Sequence, residues 1–488
     1  MSEHPLEQIF HPRAIAVVGV PSQGTSGRIG DFLGSLKAAG YHEQHGLYPV
    51  NPKTEEVAGL RCYPTLLDCP DPVDHVISQI PARAVPLLVE QCAEKGVRSL
   101  HLFTAGFSET GDAEMAALER EIVERARAAG VRVIGPNCMG LYVPAERLSF
   151  MGGFPTEPGH VLLLSQSGAN ASAVVGGLAQ RGVRFSKAIS FGNGADLQAH
   201  DFLDYAATDP ETEVVTAYIE GVTEGRNFFE ALKRCAAVKP TIILKGGIHP
   251  AGARAAHSHT GSLAGSIDIF EALCRQSGAI RATSMNDLHD LVIAVTTEVR
   301  RVAGRGVALV GGGGGIAVLS ADAIATAGLD LPELPAETQR QLREFIPVAG
   351  TSVRNPIDIN IGASDDMRRV YRIVAAAEPV DVIFGTSFGV GPSGPAGDRG
   401  RDGDAADDAG AAERAAERAR QAADSFAELQ EESGIPVVAL QGGPQAGVFQ
   451  QRAYERGVAV FPTVERAARA IGMLLEWRTR REGLPAIF

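Results

Sequence analysis

Cysteine is sparse in this chain, with six residues among 488, and no two stand in Cys-x-x-Cys spacing. Cys62, Cys69, Cys92, Cys138, Cys235 and Cys274 therefore read as free thiols of a reducing compartment, not as a disulfide framework or a zinc site. Basic residues are also short: 45 Lys and Arg against 58 Asp and Glu leave a formal charge of −13. A nucleic-acid binder would show a basic face, so no nucleic-acid partner is expected, although a local basic pocket for a phosphorylated cofactor remains compatible. No run of about eighteen apolar residues occurs, so no spanning helix and no membrane partner are expected. Met1-Ser2-Glu3-His4-Pro5 has neither the basic nor the apolar segment of a secretory signal. Zinc motifs, a Gly-x-Ser-x-Gly elbow and a Walker phosphate loop are missing as well. The expectation is a cytoplasmic protein.

What is present is an alternation of short apolar runs with longer amphipathic stretches, the pattern of βαβ units around parallel sheets. The length suits two to four domains, and three α/β units are expected, over 1–145, 146–300 and 301–488. In the first, strands are predicted at Ala14–Val20, Leu47–Val50, His75–Ile80, Ser99–Phe103 and Val131–Ile134, with helices at Gly30–Ala39, Val85–Lys95 and Ala113–Ala129. The second has strands at Val161–Leu164, Phe185–Ser190, Val214–Ile219 and Thr241–Lys245, and a helix through Leu288–Arg300. After the linker Arg301–Gly306, the third has Val307–Val310, Val380–Phe384 and Val437–Leu440, and a last helix from Val464 to Arg481. Gly391–Gly410 is almost without large apolar side chains and is expected to be a disordered insertion, followed by a solvated helix over Ala411–Glu431.

Five places can carry chemistry. Gly246–Gly265 is a loop of Gly, Ala, Ser and His that follows a buried strand. Its His257 and His259 are either inert surface groups or candidate bases and nucleophiles. Glu220 ends a strand, where α/β sites form and where a carboxylate can fix an imidazole tautomer; the alternative is a capping or surface role. Ser165-Gln166-Ser167-Gly168 leads from a strand into a helix, either as an anion site of free N–H groups or as an ordinary N-cap. Gly311–Gly315 is a second helix start of that kind. Finally, Gly19 to Gly30 forms a glycine-rich strand-to-helix turn without Gly-x-Gly-x-x-Gly spacing. The second strand runs into Lys53, not an acidic residue, which suits a phosphorylated cofactor better than a nicotinamide dinucleotide. Asn355-Pro356-Ile357-Asp358 is left without a role.

Ser258 to Gly265 resembles the phosphohistidine loop, Ser-His-Thr-Gly-x-Leu-Ala-Gly, of the ADP-forming acyl-CoA synthetases, relatives of succinyl-CoA synthetase. Tyr48-Pro49-Val50-Asn51-Pro52-Lys53, Ala105-Gly106-Phe107-Ser108-Glu109 and Gly135-Pro136-Asn137-Cys138 resemble the same family. Asn355-Pro356-Ile357-Asp358 also looks like a family string. The resemblance covers nearly the whole chain outside Gly391–Gly410 and implies an α-type subunit. Its fold would be a Rossmann-like CoA-binding domain followed by two flavodoxin-like doubly wound domains. The implied activity interconverts acid, CoA and ATP with acyl-CoA, ADP and phosphate, through an acyl phosphate and a phosphohistidine. Carried over, His259 is the nucleophile and Glu220 orients it. Ser165, Ser167, Gly168, Gly314 and Gly315 hold phosphate. Gly19, Ser22, Gly27, Lys53, Pro81 and Thr104 line the coenzyme A site, with Asn137 and Cys138 near its thiol. The chain departs from the family in the extra residue of Gly19-Val20-Pro21-Ser22 and in having only Gly before the third unit's helix. Coenzyme A, ATP or ADP and Mg2+ are the implied ligands, beside a small carboxylic acid. Nucleotide would sit on an ATP-grasp β subunit in a heterotetramer, since the third unit ends shortly before Phe488. A CoA-binding regulatory protein without catalysis, and a nicotinamide-dependent oxidoreductase, are the rival readings.

Overall fold

The computed structural model describes residues 4–21, 30–252, 254, 266–311, 314–359, 364–386, 405–441 and 446–481. His257, His259, Ser22 and Gly27 lie outside the described residues, as does most of Gly391–Gly410. The chain forms two compact units, the first drawn mainly from residues 1–179 and 184–285, the second mainly from 286–483.

The described residues of the first unit hold a two-stranded ribbon of Glu56–Val57 and Leu60–Arg61 and two large sheets. The N-terminal one contains β1 (Ala14–Val18), β2 (Gly46–Val50), β3 (His75–Ser78), β4 (Ser99–Leu102) and β5 (Arg132–Ile134), all parallel in the order β2-β1-β3-β4-β5. β1, β3 and β4 are buried along their whole length, as expected of strands covered on both faces by helices. The chain moves to β2 on one side of β1 and to β3 on the other. This makes a switch point between β1 and β3, where open α/β sheets bind ligands.

The second sheet contains β6 (Gly140–Tyr142), β7 (Val161–Ser165), β8 (Phe185–Ser190), β9 (Val214–Ile219), β10 (Thr241–Lys245) and β11 (Ile280–Ala282), in the order β11-β10-β9-β7-β8-β6. Only β6 is antiparallel. Without it the order is the flavodoxin-like 2-1-3-4-5, whose switch point falls between β7 and β9. Register there sets Tyr218 opposite Ser165 and Ile219 opposite Lys245, so Glu220 emerges beside the turns that follow β7 and β10.

The second unit holds β12 (Val307–Val310), β13 (Val382–Thr386), β14 (Val437–Leu440) and β15 (Ala459–Phe461), parallel and in chain order. Where a flavodoxin-like fold has its second strand, Ile357 makes one parallel bridge to Val310. Asn355 lengthens this contact: its Oδ1 accepts the Leu309 N–H at 3.0 Å and its Nδ2 donates to the Val307 carbonyl at 2.6 Å. Asn355-Pro356-Ile357-Asp358 thus serves as edge pairing.

The helix expected to be solvated over Ala411–Glu431 runs from Ala405 to Ser433, so its first turns fall inside the stretch read as a disordered insertion. One face of it is core: Ala419, Ala423, Phe426 and Ala427 are buried against Tyr371 and Phe449. Alanine contributes little to a hydrophobic pattern, which is why that face is hard to read. Among the described residues no helix is long and apolar enough to cross a membrane.

Candidate functional site

Five expected cofactor residues share one edge of the first sheet. Gly19, Lys53, Pro81, Thr104 and Asn137 follow the carboxyl ends of β1, β2, β3, β4 and β5 respectively. Gly19 lies in the switch-point crevice with φ +90°, and a Cβ there would come within 2.9 Å of Ile80 Cγ2. Only glycine allows the two strand ends to approach this closely. Val20, in the turn that carries the extra residue, is buried, and Asn51 Nδ2 donates to its carbonyl at 2.7 Å. Asn51 Oδ1 in turn accepts the Lys53 N–H at 2.8 Å, shaping the loop that leaves the Lys53 side chain exposed. Thr104 Oγ1 donates to the Ile80 carbonyl at 2.6 Å, and the Thr104 carbonyl accepts the Asn137 N–H at 3.1 Å. This edge therefore offers a glycine cleft and an exposed ammonium, which suits a phosphorylated cofactor. Cys138 is buried, and burial pushes its thiol pKa well up.

The carboxyl edge of the second sheet brings Ser165, Ser167, Gly168 and Glu220 together. Ser165 Oγ donates to the Ser167 carbonyl at 2.7 Å, and Ser167 Oγ accepts the Asn170 N–H at 3.3 Å, capping the helix Gly168–Gln180. The side-chain carbonyl of Gln166 accepts the N–H groups of Glu220 and of Gly221, the latter at 2.9 Å. Lys245 Nζ donates to the carbonyls of Glu220 and Gly246, each at 2.6 Å. Desolvation lowers the Lys245 pKa, opposed by the nearby Glu220 charge. The Tyr218 hydroxyl also faces the Glu220 carboxylate; burial first, and then that carboxylate, raise its pKa to about 12. A Cβ on Gly246 would come within 2.5 Å of the Tyr218 hydroxyl and 3.4 Å of Glu220 Cγ, so glycine at that position leaves room for both groups. The result is a carboxylate whose backbone is fixed on both sides, next to a helix N-terminus with a positive dipole end.

Sequence reasoning missed Tyr218 and Lys245 and gave Gln166 no part. The signal for them is register: Tyr218 precedes Glu220 by two, and Lys245 stands opposite Ile219. Gly314 and Gly315 open the helix Gly314–Thr326 after β12, in the second unit. Among the described residues no group of His, Cys, Asp and Glu could hold a metal ion.

The two sheets of the first unit are tied by the loop after β8. Asp196, buried there, accepts Arg127 Nε at 2.6 Å, Arg132 Nε at 2.9 Å and the Val133 N–H at 2.7 Å. Asn193 Nδ2 donates to Glu109 at 2.7 Å and to Glu119 at 3.1 Å.

Three family models match the chain: a CoA binding domain over residues 13–144, a succinyl-CoA ligase like flavodoxin domain over 158–295, and a Ligase-CoA domain over 307–383. Acetate–CoA ligase (ADP-forming) I of Archaeoglobus fulgidus is 40% identical over 78% of this chain and 54% of its own length. The chain thus spans about half of that relative. Acetate–CoA ligase (ADP-forming) II subunit alpha of Pyrococcus furiosus is 37% identical over 78% of this chain and 81% of its own length. Among solved structures, the Ca. Korarchaeum cryptofilum dinucleotide forming acetyl-coenzyme A synthetase 1 in complex with phosphate and ADP matches with TM-score 0.76. It is 30% identical and covers 98% of each chain.

Proposed function

The chain belongs to the family of ADP-forming acetate–CoA ligases, of the α-subunit kind, and we propose that it interconverts acyl-CoA, ADP and phosphate with acid, CoA and ATP. We take 1–145 as the CoA-binding domain, 146–300 as the domain of the phosphohistidine loop, and 301–488 as a second ligase domain. In the ATP-forming direction an oxygen of phosphate attacks the thioester carbonyl carbon. The C–S bond breaks, the thiolate takes a proton, and an acyl phosphate is formed. A His259 ring nitrogen then attacks phosphorus, and the carboxylate leaves. The phosphoryl group passes from His259 to ADP. Each step is a single displacement on a positioned group.

The observation that carries this reading is Glu220, braced by Gln166 and Lys245 at the switch point beside the Ser165–Gly168 helix start. A proton shared between one imidazole nitrogen and Glu220 leaves the other nitrogen's lone pair free for phosphorus. The helix N-terminus, with Ser165, Ser167 and Gly168, offsets the phosphoryl charge. Gly314 and Gly315 are assigned the same part from backbone amides. Gly19, Ser22, Gly27, Lys53, Pro81, Thr104 and Asn137 are assigned to coenzyme A; the glycine cleft and exposed Lys53 support that fit. When bound, coenzyme A supplies the thiol that forms and releases the thioester.

We assign the nucleotide and its Mg2+ to an ATP-grasp partner subunit in a heterotetramer, with a small carboxylic acid as the further substrate and the cytoplasm as the site of action. The test is ATP formation from acetyl-CoA, ADP, phosphate and Mg2+. The chain with an ATP-grasp partner should make ATP, and the chain alone should bind CoA without making it. Sustained synthesis by the chain alone would overturn the assignment of nucleotide to a partner.

A further inference from the structure

The loop that follows β8, residues 191–197, is bonded at its start to the Ser165 turn and along its length to the turn that carries Asn137. The Phe191 N–H donates to the Ser165 carbonyl at 3.0 Å. Two residues on, the Asn193 N–H donates to the Pro136 carbonyl at 3.0 Å, and the Ala195 N–H to the Gly135 carbonyl at 2.9 Å. From the end of β8 itself, Ser190 Oγ accepts the Met139 N–H at 3.1 Å. Asn137 is thus flanked on both sides by attachments to one stretch of chain, and that stretch is tied to Ser165. A single short run of backbone carries the spacing between them.

Two residues make that spacing tight. Gly192 has φ +52°, and a Cβ there would lie 2.2 Å from the Pro136 oxygen and 2.4 Å from the Asn137 oxygen. Backbone meets backbone at this point, so neither side can yield by turning a side chain. Asn193 then closes the loop on a third element. Its Nδ2 donates to Glu109 Oε2 at 2.7 Å and to Glu119 Oε2 at 3.1 Å. Glu109 also accepts the Phe107 N–H at 3.1 Å, and Glu119 accepts Ser108 Oγ at 2.8 Å, so both carboxylates are bonded to the turn after β4. Asn193 Oδ1, by contrast, is buried and has no hydrogen-bond partner among the described residues. An unpaired buried acceptor is a net cost to folding, so stability alone does not account for asparagine at this position.

We infer that Gly192 and Asn193 are positioning residues for the ligase reaction, setting the separation between coenzyme A at Asn137 and phosphate at the Ser165–Gly168 helix start. The step they govern is the attack of a phosphate oxygen on the thioester carbonyl carbon, in which the C–S bond breaks and the thiolate takes a proton. Its two reactants are held by different sheets, and a misplacement of about 1 Å can cost about 100-fold in rate. Transfer of a phosphoryl group between His259 and nucleotide does not use that separation. The inference rests on the ligase reading above.

The experiment uses the full chain with its nucleotide-binding partner and labels His259 by two routes, from acetyl-CoA with radiolabelled phosphate and from ATP radiolabelled at its γ-phosphate. In Gly192→Ala and in Asn193→Ala, labelling from acetyl-CoA should slow at least about 10-fold at saturating acetyl-CoA, with KM within about twofold of the parent. Labelling from ATP should keep the parent rate. Asn193→Ala leaves Glu109 and Glu119 their bonds to the turn after β4, so it supplies the measurement if Gly192→Ala does not fold. An unchanged rate from acetyl-CoA in Asn193→Ala, or both routes slowed alike, would overturn the positioning role and leave the ligase reading standing. A parent chain labelled by neither route would overturn both.

Discussion

Gln166 and Glu220 are joined through the Gln166 side-chain carbonyl, which takes the N–H groups of Glu220 and the residue after it. The two strands that end here, β7 and β9, are neighbours in the sheet, but their ends are 54 residues apart in sequence. One amide side chain thus sets the distance between a helix N-terminus and a carboxylate. Gln166→Met keeps the size of the side chain and removes the acceptor, leaving two buried N–H groups unsatisfied. Its expected cost is about 1–3 kcal/mol per group, measured by urea unfolding, with phosphorylation of His259 slowed as well. Unchanged stability and labelling rate would show that the two strand ends hold their places without it.

Glu220→Gln preserves shape and removes the charge. If Glu220 orients the His259 imidazole, phosphoryl transfer should slow by about 10²–10⁴-fold in rapid-quench measurements, with CoA affinity and thermal midpoint little changed. A rate equal to that of the unmodified protein would return Glu220 to a purely structural part.

Much of this arrangement is legible in the sequence. Val214–Ile219 and Thr241–Lys245 agree with the structure because central parallel strands, apolar on both faces, write themselves as nearly unbroken runs, and Phe185–Ser190 agrees as well although Ser186, Lys187 and Ser190 interrupt it. Gly140–Tyr142, Ile280–Ala282 and Ala459–Phe461 were not read, because three-residue strands at sheet edges carry no period. Glu220 and Ser165–Gly168 could be picked out by their places at strand ends. Tyr218, Lys245 and the work of the Gln166 amide could not, because each depends on which strand lies alongside, and that follows from sheet order.

Asp196 is the buried acceptor for Arg127, Arg132 and the Val133 N–H. Both arginines are partly exposed and can return to water, so the loss in Asp196→Ala is mainly that of charge-assisted hydrogen bonds, about 2 kcal/mol. Thermal unfolding followed by circular dichroism should show a lower midpoint. A midpoint within error of the parent would mean that other contacts hold the loop after β8.

His75 and His101 stack inside the first sheet at 6.3 Å between ring centroids. Burial lowers their pKa values to about 3 and about 4, from an ordinary 6.5. In the unfolded chain both protonate near 6.5, so between there and about pH 4 the unfolded state binds more protons. Their contribution to stability is complete above pH 6.5 and is lost as pH falls, by about 1.4 kcal/mol per unit for each ring. Urea midpoints measured between pH 7 and pH 5 should fall accordingly, and His75→Asn should remove about one proton from the slope. A slope that His75→Asn leaves untouched would contradict the assignment to this pair.

The central claim is that a phosphoryl group passes through His259, and labelling tests it most directly. The chain is incubated with acetyl-CoA and radiolabelled phosphate, then digested, and the labelled peptide is located by mass spectrometry. The account predicts one acid-labile, alkali-stable label on His259, lost in His259→Ala and at most weakened in His257→Ala. A label that survives His259→Ala, or phosphate-dependent release of CoA with no labelled histidine, would contradict it.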